Sequence, residues 1–282
     1  MKKLILVLLA SGFALASSCN KPEEQPKVDE TLKVMSFNMR YGEGDEGEHS
    51  WDNRKEGAAA MINAQSPDVF GVQEPYYYQV QDMEAACQDY RSVGVGRLDG
   101  VHNAEHQSIF YKTSRVELLD WGTFWLSDTP RIPSLGWDGA CTRSTTWALM
   151  KDKQTGRNFF FVNTHLDHVG VVAREKGLAL IIQKIESMNT RQYPYILTGD
   201  FNMEISDPAF DELKTKMTNA RESAAVTDNS PTYHGWGTAS TTIDFIWYNG
   251  FSECSEFCTI KDEYCGTQYI SDHYPIYAII KY

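Results

Sequence analysis

Residues 195–202 read YILTGDFN, a short apolar run that leads directly into glycine, aspartate and asparagine. The apolar half, 195–198, predicts a buried strand, and the polar half predicts a turn where that strand ends. The preceding segment, 171–188, carries an apolar stripe at helical spacing: Leu178, Ile181, Ile182, Ile185 and Met188. A helix that leads into such a strand is one unit of an α/β fold.

The same alternation is found earlier in the chain. Strands are predicted at 31–37 and 68–73, and helices at 53–64 and 76–87. Further strands are predicted at 108–112, 145–151, 158–163, 242–248, 257–261 and 274–280. Residues 121–142, rich in Pro, Gly and Trp, are predicted to be irregular. Helices alternate with strands early and strands dominate late, which favours a layered α/β fold. Since no repeat or long linker interrupts residues 31–282, we expect one domain there.

The N-terminus has the features of a targeting segment. Lys2 and Lys3 precede an apolar stretch, 4–16, that is too short to span a bilayer, so residues 1–18 are predicted to be a signal peptide. The end of this segment resembles the lipobox of bacterial lipoproteins, with Cys19 as the lipidated residue, although Ala16 replaces the usual Leu. The alternative is an ordinary signal peptide followed by a free Cys19.

Residues 19–30 are rich in Pro and charge and predict a tether behind the lipid. We therefore expect an exported bacterial lipoprotein of the cell envelope, held at the outer membrane on its periplasmic or its surface face.

The charge is strongly acidic: 26 Lys and Arg against 38 Asp and Glu give −12, and loss of Lys2 and Lys3 with the signal peptide makes it −14. Proteins that bind nucleic acid tightly and without sequence preference rely on Lys and Arg contacts to phosphates. Tight nonspecific binding of nucleic acid is therefore not expected.

Five cysteines follow Cys19, and three of them lie close together: Cys254, Cys258 and Cys265. Export permits a disulfide within this group. A zinc site formed by these three cysteines is the more specific alternative, but the repeated C-x-x-C spacing of structural zinc sites is absent.

Polar residues with metal-binding or catalytic chemistry lie at or beside the ends of predicted strands. They are Asn38, Glu74, His165, Asp200, Asn202, Asp244, Asp272 and His273. Chain segments that leave several strands at one sheet edge bring such residues together. Carboxylates and Asn without a cysteine ligand suit a hard cation such as Mg²⁺ or Mn²⁺.

Six short segments carry these residues in order: SFN at 36–38, QE at 73–74, NTHLD at 163–167, GDFN at 199–202, ID at 243–244 and SDHYP at 271–275. Together they resemble the ordered motifs of the endonuclease/exonuclease/phosphatase superfamily, and the resemblance spans nearly the whole domain. It implies an α/β sandwich of two packed mixed β-sheets flanked by helices, as in deoxyribonuclease I. It also implies divalent-metal-dependent hydrolysis of a phosphoester.

The resemblance assigns roles to these residues. Glu74 would be the principal metal ligand, with Asn38 and Asp272 nearby. Asp200 would orient or deprotonate the attacking water, and Asn202 would fix that water or the phosphate.

Two histidines have implied roles at the phosphate. His273 would pair with Asp244 and stabilise the phosphate, while His165 would contact it from the other side. Asp167 lies in the same motif as His165, in a position whose role varies. The histidines outside the motifs are predicted at the surface: His49, His102, His106 and His168.

Four further residues are candidates for substrate or phosphate binding. Arg143 resembles a family position that reaches the phosphate pocket, and guanidinium suits phosphate. Arg54 lies in a Trp-x-x-Arg element and either binds substrate or pairs with a structural carboxylate. Tyr111 either donates its hydroxyl to phosphate or is a strand aromatic, and His234 either lines the site or caps a loop.

The family covers phosphomonoesters and phosphodiesters, so the resemblance does not fix the substrate. Acidic charge and export favour a small or lipid-linked phosphoester, such as a sugar, inositol or headgroup phosphate. A secreted scavenging nuclease is the first alternative, and a lipoprotein that binds without catalysis is the second. Four tryptophans either form apolar walls for the substrate or pack under a long loop: Trp121, Trp125, Trp137 and Trp236.

Overall fold

Two six-stranded β-sheets packed face to face, with helices on both outer faces, make up residues 30–282, the part of the chain that this computed structural model describes. The strands are β1 (Thr31–Asn38), β2 (Val69–Gln73), β3 (Tyr90–Val93), β4 (Ile109–Lys112), β5 (Val116–Trp125), β6 (Ser144–Asp152), β7 (Asn158–His165), β8 (Tyr195–Asp200), β9 (Thr218–Asn219), β10 (Asp244–Asn249), β11 (Glu253–Thr259) and β12 (Ile276–Lys281). The helices are α1 (Trp51–Gln65), α2 (Tyr77–Ala86), α3 (Val171–Met188), α4 (Phe210–Lys216) and α5 (Ala220–Ser223), with short 3₁₀ turns at Gly47–His49 and Gly235–Gly237.

Both sheets are mixed. The first has the strand order β11-β12-β1-β2-β4-β3 and the second has β5-β6-β7-β8-β10-β9. In each sheet one adjacent pair is parallel, β1 with β2 and β7 with β8, and a helix connects the two strands of that pair. The remaining pairs are antiparallel. The predicted fold class, an α/β sandwich of two mixed sheets flanked by helices, is confirmed.

Three apolar layers hold the sandwich together. The layer between the sheets includes Leu32, Val34 and Phe161. A second layer lies between the first sheet and α1 and α2, and a third lies between the second sheet and α3 and α4. None of the helices in residues 30–282 is long and apolar enough to cross a membrane.

The residues that face the opposite sheet change from apolar to polar along each central strand. In β1 the order is Leu32, Val34, Ser36, Asn38; in β7 it is Phe159, Phe161, Asn163, His165; in β8 it is Ile196, Thr198, Asp200. β10 runs antiparallel to β8, so its first residue, Asp244, lies directly opposite Asp200. The polar ends of both sheets therefore meet at the same edge of the sandwich.

The predicted elements are confirmed with boundary shifts of up to four residues, but β3, β5, β9, α4 and α5 were not predicted. The predicted irregular region 121–142 was wrong at its start, because β5 continues to Trp125. β5 is an edge strand with a bulge between Leu118 and Asp120, so its alternation of buried and exposed residues is interrupted. The predicted signal peptide and all of the tether except Glu30 lie outside the described residues.

The five cysteines of residues 30–282 are all unpaired. A disulfide within the group Cys254, Cys258 and Cys265 is therefore absent from this part of the chain. Cys254 is instead a buried residue of the layer between the sheets.

Candidate active site

A buried layer of polar side chains joins the two sheets directly beneath the site. The Gln73 amide donates to Ser36 Oγ (3.1 Å) in the same sheet and to Asn163 Oδ1 (2.7 Å) in the opposite sheet. Gly71 permits this approach, since a Cβ there would come within 2.3 Å of Asn163 Oδ1. Because buried polar groups need partners, this network fixes the spacing of the sheets where Glu74 leaves β2.

Glu74 is held by donors from the chain after β1. The Asn38 amide donates to Glu74 Oε1 and to Asp200 Oδ2, both at 3.0 Å, and the Tyr41 N–H donates to Glu74 Oε2 at 3.1 Å. Glu74 has a φ of 72°, a left-handed conformation that is costly for a residue with a Cβ. Such backbone strain is often retained at functional sites. In this protein the left-handed conformation of Glu74 places its carboxylate near Asp200.

The acidic residues of the site suit a cation. Ligand atoms of Glu74, His165 and Asp200 lie within 4.8 Å of one another. Asp272 lines the same cavity as these three residues, and its Oδ2 lies 3.5 Å from Arg40 Nη1. Burial, followed by repulsion from neighbouring carboxylates that include Glu74, raises the pKa of Asp200 to about 7 and also raises that of Asp272. Hard oxygen donors with this concentration of negative charge fit a divalent cation.

His273 forms the predicted pair with Asp244, with Nδ1 at 2.8 Å from Asp244 Oδ2. Burial alone would lower the pKa of His273, but Asp244, Asp200 and Asp272 raise it to about 10. The ring is therefore an imidazolium at neutral pH. Its Nε2 lies 3.7 Å from Asp200 Oδ2, so the positive charge is directed at the centre of the site.

His165 approaches the same oxygen of Asp200 as His273 does, with Nε2 at 3.4 Å from Asp200 Oδ2. Burial and then Arg143 lower the pKa of His165 well below its ordinary value, so this ring is neutral. Asn202 Nδ2 lies 3.0 Å from His165 Nε2, and the Asn202 N–H donates to Asp200 Oδ1 at 2.9 Å. The amide nitrogen of Asn202 can only donate, so Nε2 of His165 accepts and Nδ1 carries the ring proton.

Arg143 lines the cavity, with Nη2 at 3.1 Å from His168 Nδ1. Asp167 lies behind it, 3.7 Å from Arg143 Nε. Burial alone would raise the pKa of Asp167, but backbone N–H groups of Gly170, Val169, Ala140 and Cys141 hold it at about 2. Asp167 is not among the residues that line the cavity, and its contacts fix the two loops that position Arg143.

Besides Asp167, three candidates for substrate binding lie away from the cavity: Tyr111, Arg54 and His234. Tyr111, in β4, packs against the apolar layer between the sheets and is a strand aromatic. Arg54 is fully buried, and its Nη1 donates to the carbonyl oxygens of Met39 (2.9 Å) and Ile270 (2.8 Å) rather than to a carboxylate. Arg54 thereby ties the segment after β1 to the segment that carries Asp272.

His234 is buried and packs against two tyrosines, with ring centroids 4.5 Å from Tyr269 and 4.1 Å from Tyr274. Its backbone N–H donates to the Asp272 carbonyl oxygen at 3.0 Å. The ring therefore supports the chain segment of Asp272 and does not line the cavity.

The cavity, of about 600 Å³, also contains residues that the motifs did not indicate. It is lined by Arg40, Tyr41, Glu74, Tyr76, Arg97, Glu105, Cys141, Arg143, His165, His168, Asp200, Asn202, Tyr233, Ile243, Asp272 and His273. Arg97 and Glu105 come from the segment between β3 and β4, which has no regular pattern and no motif. His168 is exposed as predicted, whereas His106 is buried, contrary to prediction.

None of the four tryptophans lines this cavity. Trp125 is buried, and its indole N–H donates to the Arg97 carbonyl oxygen at 2.7 Å. Trp236 stacks on His49 with the ring centroids 4.0 Å apart. These contacts favour packing over substrate walls.

Comparisons with known proteins agree with this geometry. The sequence profile of the Endonuclease/Exonuclease/phosphatase family matches residues 35–273. The crystal structure of an endonuclease/exonuclease/phosphatase from Bacteroides vulgatus is 33% identical, with a TM-score of 0.83 over 90% of this chain and 99% of that one. A mannosyl-6-phosphatase from Bacteroides thetaiotaomicron is 29% identical, with a TM-score of 0.83 over 89% of this chain and all of that one. An uncharacterized protein of Acanthamoeba polyphaga mimivirus is 25% identical over 89% of this chain and its own full length.

Proposed function

This chain belongs to the endonuclease/exonuclease/phosphatase family and is a phosphoester hydrolase, and from that premise we propose that it removes phosphate from a small phosphorylated metabolite, with a sugar phosphate as the first candidate. The cavity carries the proposal: a volume of about 600 Å³ is suited to one small ligand, and it combines buried carboxylates with arginines. The similarity to a mannosyl-6-phosphatase supports the same class of substrate.

Enzymes of this family typically depend on a divalent cation. Glu74 and Asp272 would hold Mg²⁺ or Mn²⁺, whose chemistry is to polarise a phosphoryl oxygen. Asn38, whose amide nitrogen donates to Glu74 Oε1, would orient the Glu74 carboxylate. Asp200 would take a proton from the attacking water, because one of its oxygens already accepts the Asn202 N–H and the other faces the centre of the site.

Two side chains supply complementary contacts to the phosphate. The His273 imidazolium, held by Asp244, would donate through Nε2 to a phosphoryl oxygen and offset its negative charge. Arg143, which lines the same cavity, would donate to the remaining oxygens. Neutral His165 would lie on the side from which the alcohol departs.

The proposal is tested by measuring phosphate release by the purified protein with Mg²⁺, with Mn²⁺ and with chelator. The substrates are sugar and inositol phosphates, a lipid headgroup phosphate, bis(p-nitrophenyl) phosphate and plasmid DNA. We expect chelator-sensitive release from the small monoesters and little nicking of the plasmid. Efficient plasmid nicking would replace the proposal with a scavenging nuclease, and absence of turnover on every substrate would favour a binding lipoprotein.

A further inference from the structure

An ion pair in the cavity wall takes no part in the chemistry described above. Arg97 Nη2 lies 2.6 Å from Glu105 Oε1, and Arg143 Nη1 lies 3.9 Å from Glu105 Oε2. All three side chains line the same cavity as Glu74 and His165. The Arg97–Glu105 pair therefore lies beside the reacting groups but has no role in the proposed reaction.

Several polar atoms of this wall are buried without a hydrogen-bond partner among residues 30–282. They are Arg97 Nε and Nη1, Arg143 Nε and Nη1, and Glu105 Oε2. An unpaired buried donor or acceptor destabilises the fold, and more so when it is charged. Unpaired donors and an acceptor lie side by side in the wall of the cavity, which favours a bound polar group or water as their partner.

The segment that carries the pair is held in place. The Arg97 N–H donates to the Glu105 carbonyl oxygen at 3.1 Å, and the Trp125 indole donates to the Arg97 carbonyl oxygen at 2.7 Å. The His106 N–H donates to the Pro75 carbonyl oxygen at 2.8 Å, which joins the segment to the chain just after Glu74. Binding would therefore require little ordering of this wall.

The chemistry of the pair selects a neutral hydroxylated ligand. A guanidinium beside a carboxylate offers donors and an acceptor within a few ångströms, and a hydroxyl group both accepts and donates. The Glu105 carboxylate would repel a second phosphate, and an apolar group would leave both charges unpaired. Tyr41 and Tyr76, on the same cavity with ring centroids 6.1 Å apart, offer apolar faces to the C–H groups of a sugar.

We propose that Arg97 and Glu105 form a leaving-group subsite that binds neighbouring hydroxyl groups of a sugar or polyol phosphate. This inference rests on the proposed function and adds the part of the substrate that the protein recognises. Burial raises the pKa of Glu105 to about 7, while Arg97 at 2.6 Å favours the carboxylate form, which accepts from a hydroxyl group.

The test compares two monoesters of similar length, glucose 6-phosphate and n-hexyl phosphate, of which only the first carries hydroxyl groups on the leaving group. With Mg²⁺ or Mn²⁺, we expect the wild-type kcat/KM to be at least about ten-fold higher for the sugar phosphate. The double variant R97M/E105L removes both charges together, so neither is left buried alone. We expect it to reduce that preference about ten- to hundred-fold.

Controls separate recognition from folding. Leu98→Ala alters an exposed side chain of the same segment and should keep the wild-type preference. Turnover of n-hexyl phosphate reports whether the double variant is folded. Should that variant be inactive on both substrates, Glu105→Gln, which keeps the shape of the side chain, takes its place and should lower the preference several-fold.

An equal loss on both substrates in Glu105→Gln, or a wild-type protein without preference, overturns the subsite. Failure of the proposed function gives a different result, since the wild-type protein would then hydrolyse neither monoester with either metal.

Discussion

Two histidines, His165 and His273, lie within 4 Å of the same oxygen of Asp200, and the two rings differ in charge. His165 is buried beside Arg143, so its proton is disfavoured, whereas His273 is buried among carboxylates, so its proton is retained. The same side chain is therefore a neutral contact in one position and a cation in the other. Neighbours, rather than residue type, decide which histidine offsets the charge of the phosphate.

The first prediction concerns Glu74. Glu74→Gln should lower kcat at least about 100-fold, because a principal ligand of the cation is lost. It should also abolish the thermal stabilisation by Mg²⁺ or Mn²⁺, which for the wild type amounts to about 2.7 kcal/mol at a hundred-fold excess over Kd. Enzyme assays and thermal unfolding with and without chelator measure both effects. Glu117→Gln, the same change at an exposed position of β5, is the control. Unchanged activity in Glu74→Gln would rule out the assigned ligand role.

The second prediction concerns His106, which is buried and stacks near Tyr77. Burial lowers its pKa from 6.5 to about 4. Between these pH values the unfolded chain binds a proton that the folded chain does not, so the free energy of unfolding falls as pH falls through this window. The contribution of this one residue is about 3 kcal/mol.

Urea unfolding at pH 7 and pH 4 measures this dependence. His106→Gln should lose about 3 kcal/mol less than the wild type between the two pH values. The exposed His168→Gln should behave as the wild type does. Identical pH dependence in His106→Gln and the wild type would mean that His106 is not buried in its neutral form.

At the scale of elements, strand parity places the site. Alternate residues of β1, β7 and β8 face the opposite sheet. These residues are apolar at one end of each strand, where they form the core, and polar at the other end, where they form the site. The Gln73–Asn163 hydrogen bond lies at the transition. A shift of one residue in either strand would turn these side chains out of the layer between the sheets.

The third prediction tests this close contact with a matched pair of changes. Gly71→Ala would place a Cβ within 2.3 Å of Asn163 Oδ1 and should destabilise the protein by about 1–3 kcal/mol, with a loss of activity. Gly177→Ala, within α3, meets nothing nearer than 3.4 Å and should be neutral or stabilising by about 0.5–1 kcal/mol. Denaturant unfolding of both variants measures the difference. Equal stability of the two would show that the sheets need no glycine at residue 71.

At the scale of the molecule, the site exists only because the two sheets pack together. Asn38 and Glu74 come from the first sheet, while His165, Asp200 and Asp244 come from the second. The Asn38 amide donates to Glu74 within the first sheet and to Asp200 across the interface between the sheets. Separation of the layers would dismantle the acidic cluster and the apolar core together.

The fourth prediction concerns the anchor, which lies outside the described residues. We propose that Cys19 is lipidated and holds the protein at the bacterial envelope, on the basis of the basic start, the short apolar stretch and the residues before Cys19. In a bacterial host the full chain should fractionate with membranes and carry fatty acid on Cys19 by mass spectrometry. Cys19→Ser should be released from the membrane fraction. Membrane association that persists without Cys19 would contradict the anchor.

The sequence alone determined the elements with strong periodicity and the chain order of the polar motifs. The stripe of 171–188 predicts α3 with the same ends as in the structure, since its burial pattern repeats with the helix. Several motif residues that line the cavity were predicted from the sequence, among them Glu74, Asp200 and His273. Each lies at the end of a buried strand or within a segment that resembles a family motif.

Only the tertiary structure decided which other residues join them. Arg97 and Glu105 lie in a segment without periodicity and are brought to the cavity by the hydrogen bonds that fold it back on itself. Arg54, Tyr111 and His234 can each donate to phosphate but lie outside the cavity. The local sequence determines the chemical character of a side chain. Its distance from the reacting groups depends on contacts between residues far apart in the chain.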